Sequence, residues 1–481
     1  MVLTIEPKEV FHYFEEISRI PRGSYHMDLI SDYLVNFAKE KGLEYYRDEL
    51  KNVILIKEAT EGYENEPAVI LQGHMDMVLV KKDWCKKDLL TEGLDLETEG
   101  DSLYAKGTSL GGDDGIAVAY SLALLASDSI RHPRLEVVIT VDEEVGMDGA
   151  RGIDVSMLKG KTMINLDSEE EGIFLTSCAG GAGVKCSLSF EKKETKGCLV
   201  QIGVDGLLGG HSGAEIHKER GNANKLLGRI LHGLCLKYEV SLADIKGGLA
   251  DNAIPNSAYM QVLFQDETVY QEATAFLNKV TTEIKKELAV RDPDVNITYE
   301  LISANATKST VPADSTANMA RFLMAVPNGV QGMSMEMENL VETSLNLGIL
   351  VLGENQLVAE FSVRSSVESK KYDLIDKLSC VAVLAGARVE ISGDYPGWQF
   401  NTVSPLRDKM RDIFLELYGK EPKIDAIHAG VECGFLVDKI PGLDCVSIGP
   451  DMKDIHTADE TLSISSTRRV WEFLLKVLET K

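Results

Sequence analysis

No stretch of this chain is long and apolar enough to span a bilayer. The best run, Ile116 to Ala126, contains Tyr120 and Ser121 and falls short of the roughly 18 residues that a membrane helix needs. The opening residues, MVLTIEPKEV, lack a basic segment followed by an apolar core. No export signal is therefore expected, and the cytoplasm is the expected compartment. CxxC pairs are absent as well. Cys85, Cys178, Cys186, Cys198, Cys235, Cys380, Cys433 and Cys445 are scattered singly, which reads as reduced, mostly buried thiols. Positive charge is short: 50 Lys and Arg stand against 76 Asp and Glu, for a net charge of −26. Such a surface repels nucleic acid and anionic membranes, so neither is an expected partner. A Walker-type phosphate loop is not expected either, because the glycine-rich loop at 107–115 lacks the Lys-Ser/Thr pair.

What is present suits a soluble globular protein. The chain has 481 residues, 44 % hydrophobic and 26 % charged, and its length favours two domains. Val10, Phe11, Phe14 and Ile17 recur at helical spacing. Val53 to Ile56 reads as a strand, with Ala68 to Leu71 as its expected neighbour. The second of these runs into Gly73-His74-Met75-Asp76. Residues two apart on a strand share a face, so His74 and Asp76 project together, and ligands usually bind at the carboxyl ends of strands in open α/β sheets.

Three further segments share that form. Gly111-Gly112-Asp113-Asp114-Gly115 leads into the apolar helix Ile116 to Ala126, placing Asp113 or Asp114 at a helix start. Taken alone, that acid is equally well read as an N-cap. Leu135 to Val141 ends in Asp142-Glu143-Glu144, and Met163 to Leu166 ends in Asp167. Paired acids straight after an apolar strand are costly unless they are solvated or carry chemistry. His456 follows a buried strand, Cys445 to Ile448, and by itself reads as a loop histidine. Convergence of these residues on one sheet edge is simpler than a series of unrelated solvated ends.

The character changes after Cys178-Ala179-Gly180-Gly181-Ala182-Gly183. Strand-like segments (Leu199 to Val204, Ala258 to Phe264, Val295 to Ile302, Gln356 to Val363) alternate with helix-like ones (Ala223 to Leu236, Val269 to Leu288, Ala313 to Met324, Tyr372 to Leu384). This predicts helices packed on a sheet. Ala258 to Glu267 and Gln356 to Glu368 both read as a strand turning at acids into a helix, a pattern compatible with a duplicated half-domain.

Together, His74-x-Asp76, the glycine loop to Asp113, Glu143-Glu144, Asp167 and His456 resemble the two-zinc aminoacylase and glutamate carboxypeptidase superfamily, in order and over nearly the whole chain. GTSLGGDDGIA, DEEVGMDGA and INLDSEEEG are most similar to bacterial aminoacyl-histidine (Xaa-His, carnosinase-like) dipeptidases. The resemblance implies an α/β fold: a mixed-sheet catalytic domain, 1–182 and 397–481, interrupted by an α+β sandwich lid and dimerisation domain, 183–396. It implies His74, Asp113 and Asp167 on one divalent metal and Glu144, Asp113 and His456 on another. The metals would be zinc, with cobalt or manganese also suited to these ligands. Asp113 would bridge them, Asp76 would orient His74, and Glu143 would be the general base. His211 in GGHSG, Asn252 in DNAIP, Arg364 in FSVR and Gly430 in HAGVECG would bind substrate, and a homodimer is implied. Two departures stand out. The common loop GADNG is here GGDDG, which keeps Asp114 as a competing choice for the bridge. The lid arginine also comes late in the chain, at Arg364.

The implied reaction is hydrolysis of dipeptides, Xaa-His and β-Ala-His included. A guanidinium at Arg364 suits a terminal carboxylate. Glu432 can contact the free amine or be a solvated turn acid. The alternatives are an aminotripeptidase or N-acyl-amino-acid deacylase of the same superfamily, or a non-catalytic binding protein.

Overall fold

The computed structural model describes residues 5–481. The chain divides into two compact units. One takes in the chain up to Cys178, Phe400–Ala426 and Val431–Lys481; the other takes in Ala179–Gln399 and Ile427–Gly430.

An eight-stranded sheet forms the centre of the first unit. Its order is Glu44–Arg47, Val53–Lys57, Leu135–Thr140, Val69–His74, Thr162–Asn165, Asp444–Ser447, Ile173–Cys178 and Lys423–Ile427. The four strands from Leu135–Thr140 to Asp444–Ser447 run parallel. His74 sits opposite Thr140, and Gln72 sits opposite Asn165, so these carboxyl ends fall at one level on one edge. Val53–Lys57 and Val69–His74 are not neighbours. Leu135–Thr140 lies between them, antiparallel to the first and parallel to the second. That strand is buried along its whole length and so requires a partner on each side.

Helices cover the sheet. Lys8–Ser18 buries Val10, Phe11, Phe14 and Ile17, the positions of its helical repeat. Gly112–Ala126 is apolar nearly all round and is buried on every side except its last residue, as a helix within the core must be. Pro405–Tyr418 and Ile464–Glu479 begin at Ser404 and Ser463, whose hydroxyls accept from the amides of Arg407 and Ser466. Among the described residues no helix is long and apolar enough to cross a membrane.

In the second unit a nine-stranded sheet runs in the order Asn296–Thr310, Lys193–Asp205, Ala258–Phe264, Val240–Gly247, Val341–Leu352, Gln356–Ser365, Gly180–Ser189 and Ala387–Tyr395, with Gly329–Met333 alongside Val341–Leu352. Its neighbours pair antiparallel. Helices Ala223–Cys235, Glu267–Leu288, Ala313–Ala325 and Glu368–Leu384 pack against it through one apolar core. The strand–acid–helix pattern occurs at both expected places.

Candidate active site

His74 ends its strand, and its Nε2 lies 3.0 Å from Asp113 Oδ1 and 3.4 Å from Asp167 Oδ1. His456 Nε2 lies 3.1 Å from Asp113 Oδ2 and 2.9 Å from Glu144 Oε2. Asp113 thus offers one oxygen to each imidazole. His456 holds a left-handed backbone, φ 59°, uncommon for a residue with a side chain and often found where function fixes the geometry.

Asp114 is placed differently, although it too lies near His74 and Asp167. One of its oxygens accepts from the Ala117 amide at 3.3 Å and the other from the His74 amide at 3.1 Å. It caps the helix and ties that helix to the neighbouring strand, so both oxygens are engaged by the backbone. A Cβ on Gly73 would lie 2.3 Å from Asp114 Oδ2, which explains the glycine before the histidine.

Asp76 is fully buried. Its carboxylate accepts from the amides of Glu143 (3.1 Å) and Glu144 (3.3 Å) and from the Ser24 hydroxyl (2.9 Å). Its own carbonyl lies 3.1 Å from His74 Nδ1. A proton on Nδ1 directed at that carbonyl leaves the Nε2 lone pair facing Asp113 and Asp167. The Glu144 side chain is 5 % exposed and turns to His456; that of Glu143 is 19 % exposed, with Oε2 4.0 Å from His74 Nε2.

The electrostatics show a surplus of negative charge. Burial raises the Asp167 carboxyl to about 6. Burial also lifts Glu143 well above its ordinary value, with Asp167, Glu432 and Glu144 adding to the effect against the pull of His74. Burial opposes ionisation of Asp113, yet its hydrogen bonds with His456 and His74 hold it below the usual range. Hydrogen bonds to Asp113 and Glu144 raise His456 to about 10. Glu144 Oε1 is buried with no hydrogen-bond partner among the described residues. Donor atoms of His74, Asp113 and Glu144 lie within 4.8 Å of one another. Oxygen and nitrogen donors without thiolate, an orphaned carboxylate oxygen and excess negative charge fit divalent metal ions.

The remaining candidates belong to the second unit. His211 lies opposite Ala253 in a two-stranded ribbon, and its Nδ1 accepts from the amides of Gly213 and Ala214 at 3.3 and 3.0 Å. Arg364 is buried; Nη1 donates to the Tyr395 hydroxyl at 2.9 Å, and Nε has no partner among the described residues. Burial and then the Arg364 charge lower the imidazoles of His211 and His428, the latter to about 3. These three therefore share one region. Asn252 is exposed and precedes Ala253, the pairing partner of His211; its carbonyl accepts from the Ser212 amide at 2.8 Å. Gly430 lies in the segment that also carries His428.

Glu432 is fully buried, so it is not a solvated turn acid. Its Oε2 accepts from Gln72 Nε2 and Thr140 Oγ1, each at 2.6 Å, and burial raises its carboxyl to about 8. Gln72 Oε1 in turn accepts from Asn165 Nδ2 at 2.6 Å. The sequence reading passed over Gln72, Thr140, Asn165 and Ser24. A signal existed for two of them: Gln72 precedes His74, and Asn165 precedes Asp167, by the two residues that keep a shared strand face.

The sequence matches the peptidase family M20/M25/M40 over residues 70–480. The chain belongs to this family. As an M20-family peptidase it is 37 % identical over 477 residues to the cytosol non-specific dipeptidase of Escherichia coli (strain K12), covering 99 % of this chain and 98 % of the relative. The crystal structure of the aminoacylhistidine dipeptidase from Vibrio alginolyticus aligns with a TM-score of 0.94 at 37 % identity, over 100 % of this chain and 98 % of that one. An aminopeptidase from Bacillus cereus, 15 % identical over 99 % of this chain and 98 % of its own, aligns with a TM-score of 0.56 and shares the fold. The mixed α/β architecture expected from the sequence is that of M20-family peptidases.

Proposed function

We propose that this M20-family peptidase is a metal-dependent cytoplasmic dipeptidase that cleaves Xaa-His substrates, β-Ala-His among them. The observation that carries the reading is Asp113, whose two oxygens face two imidazoles while Glu144 Oε1 stays buried with no partner among the described residues. Both relatives at 37 % identity bear dipeptidase names, one non-specific and one aminoacylhistidine.

In this reading His74, Asp113 and Asp167 would hold one metal and Glu144, Asp113 and His456 the other, with zinc favoured and cobalt or manganese also suited. Divalent ions held there would supply Lewis acidity, which draws the pKa of a water from 15.7 towards about 7. Glu143 takes the proton of the attacking water and returns it to the leaving nitrogen; its raised affinity for a proton suits both halves of that exchange. Asp76 holds the amides of Glu143 and Glu144 with its carboxylate and orients His74 with its carbonyl, so one residue fixes the base and two ligands. Arg364 receives the substrate's terminal carboxylate, and His211 donates to the oxygen that gains charge as the carbonyl is attacked. Asn252 and Gly430 complete the substrate contacts. An inserted domain, 183–396, serves as lid and as the surface of a homodimer, the catalytic domain being 1–182 plus 397–481.

The test is hydrolysis by chelator-stripped enzyme refilled with zinc, cobalt or manganese. The panel holds dipeptides with and without a C-terminal histidine, tripeptides and N-acylated amino acids. Metal-dependent cleavage of Xaa-His dipeptides, with tripeptides and acylated compounds untouched, is expected. Cleavage of tripeptides or acylated compounds alone would move the protein to the aminotripeptidase or deacylase branch. No cleavage and no bound metal would make it a binding protein.

A further inference from the structure

Four consecutive peptide N–H groups lead into Asp113, and one side chain accepts from all of them. Glu460 Oε2 lies 2.8 Å from the Leu110 amide and 2.9 Å from that of Gly111; Oε1 lies 2.7 Å from the Gly112 amide and 3.4 Å from that of Asp113. The first amides of a helix have no partner inside it, and the residue preceding this helix, Gly111, has no side chain to supply one. A carboxylate from hundreds of residues away takes that part. The carbonyl of Gly111 is held by Arg22 Nη2 at 2.5 Å, while Arg22 Nη1 reaches the carbonyls of Met75 (3.0 Å) and Asp76 (3.3 Å). Glu460 and Arg22 are 3 % and 1 % exposed, so solvent does little to weaken either set of bonds.

The glycines of the loop follow from this grip. Gly111 has φ 65°, and a Cβ there would lie 2.5 Å from Arg22 Nη2; a Cβ on Gly112 would lie 3.3 Å from Glu460 Oε1 and 3.1 Å from Met452 Sδ. A side chain at Gly111 would displace Arg22, and one at Gly112 would crowd Glu460 and Met452. Glu460 also stands four residues after His456, with its amide turned back to the Thr457 carbonyl at 3.4 Å. One short loop thus delivers both the imidazole that meets Asp113 and the carboxylate that holds the backbone of Asp113.

We propose that Glu460 is a positioning residue for the metal centre: it fixes Asp113 relative to His456 so that each Asp113 oxygen meets its own imidazole. The inference rests on the two-metal reading above. A carboxylate offers acceptors on both oxygens. A carboxamide offers one, and its NH2 would face two of the amides it replaces an acceptor for. Loss of such outer partners typically weakens metal binding about 10–100-fold.

The experiment uses the full-length protein, stripped of metal and titrated with cobalt(II). Affinity is read by calorimetry, the ligand field by the visible spectrum of bound cobalt, and folding by circular dichroism of the metal-free protein. Glu460→Gln is expected to fold, to bind cobalt about 10–100-fold more weakly, and to show a changed spectrum. Glu460→Asp, which keeps charge and both acceptors on a shorter stem, is expected to fall between Gln and wild type. A Glu460→Gln protein with wild-type affinity and spectrum would overturn the proposal even if it melted earlier, since the carboxylate would then serve stability alone. If Glu460→Gln does not fold, Glu460→Asp decides by the same criterion: an altered spectrum supports the proposal and an unaltered one overturns it. A wild-type protein that binds no cobalt would instead overturn the metal reading itself, and this inference with it.

Discussion

His456 meets Asp113 across 343 residues of chain, Nε2 to Oδ2 at 3.1 Å. Glu144 Oε2 reaches the same imidazole nitrogen at 2.9 Å, and His74 Nε2 the other Asp113 oxygen at 3.0 Å. The value of the contact lies in what the pair can hold with Glu144 and His74.

Asp113→Ala should therefore remove the stabilisation that metal gives. Ligand binding only to the folded state adds about 2.7 kcal/mol at one hundred times its Kd. Zinc added to the stripped wild-type protein should raise its melting temperature, while stripped Asp113→Ala should melt at nearly the same temperature with or without zinc. An equal zinc-induced shift in both proteins would refute the bridging role.

Glu143→Ala should separate base from ligand. Its Oε2 is 4.0 Å from His74 Nε2, whereas the Glu144 carboxylate is turned to His456. Metal content measured by atomic absorption should stay near wild type, and kcat should fall about 10²–10⁴-fold, the usual contribution of a general base. Normal turnover would remove Glu143 from the mechanism.

Glu432→Gln should change how stability depends on pH. The folded carboxyl titrates at about 8 against an ordinary value of 4.5. Between those values the folded state keeps a proton that the unfolded chain has released, so wild-type stability falls as pH rises through the window. A carboxamide does not ionise, and its oxygen can still accept from Gln72 and Thr140. The stability of Glu432→Gln relative to wild type, taken from urea unfolding of stripped protein, should grow from pH 4.5 to 8 and level off above. A difference that stays flat across that range would show that Glu432 is ionised in the fold.

Gly73→Ala should damage the fold and the site together. The added methyl would lie 2.3 Å from Asp114 Oδ2 and 2.5 Å from Ala117 Cβ, atoms of a buried helix that cannot retreat. Overpacking of this kind typically costs about 1–3 kcal/mol. The unfolding free energy from urea titration should drop by that amount and cobalt affinity should fall with it; an unchanged unfolding free energy would mean that helix and strand are looser here than they stand.

The sequence was most legible where an apolar run stops at a charged residue. His74, Glu143, Glu144 and Asp167 could be singled out because burying them unaided is costly. Asp113 and Asp114 could not be told apart, since both follow the same glycines and the difference lies in which backbone amides each one meets. The order of strands was hidden: Leu135–Thr140 enters between two segments that precede it in the chain. In the second unit, Val240–Gly247 and Val341–Leu352 escaped notice because glycine and polar residues interrupt their apolar patterns. Glu460 gave no signal at all. An acid in a polar loop becomes informative only when the four amides it serves come into view.

The segment Ile427–Gly430 groups with the second unit while its flanks group with the first. The backbone therefore changes unit at Cys178–Ala179, Gln399–Phe400, Ala426–Ile427 and Gly430–Val431. In the second unit, the amide of Ala179 is bonded to the carbonyls of Ile427 and Ala429, and the hydroxyl of Ser344 lies 2.8 Å from His428 Nε2. A contiguous fragment 179–399 would leave that amide and that hydroxyl without these partners. Dissection of this protein into modules, or transplantation of its inserted unit onto another scaffold, would have to carry a four-residue splint from the far end of the gene.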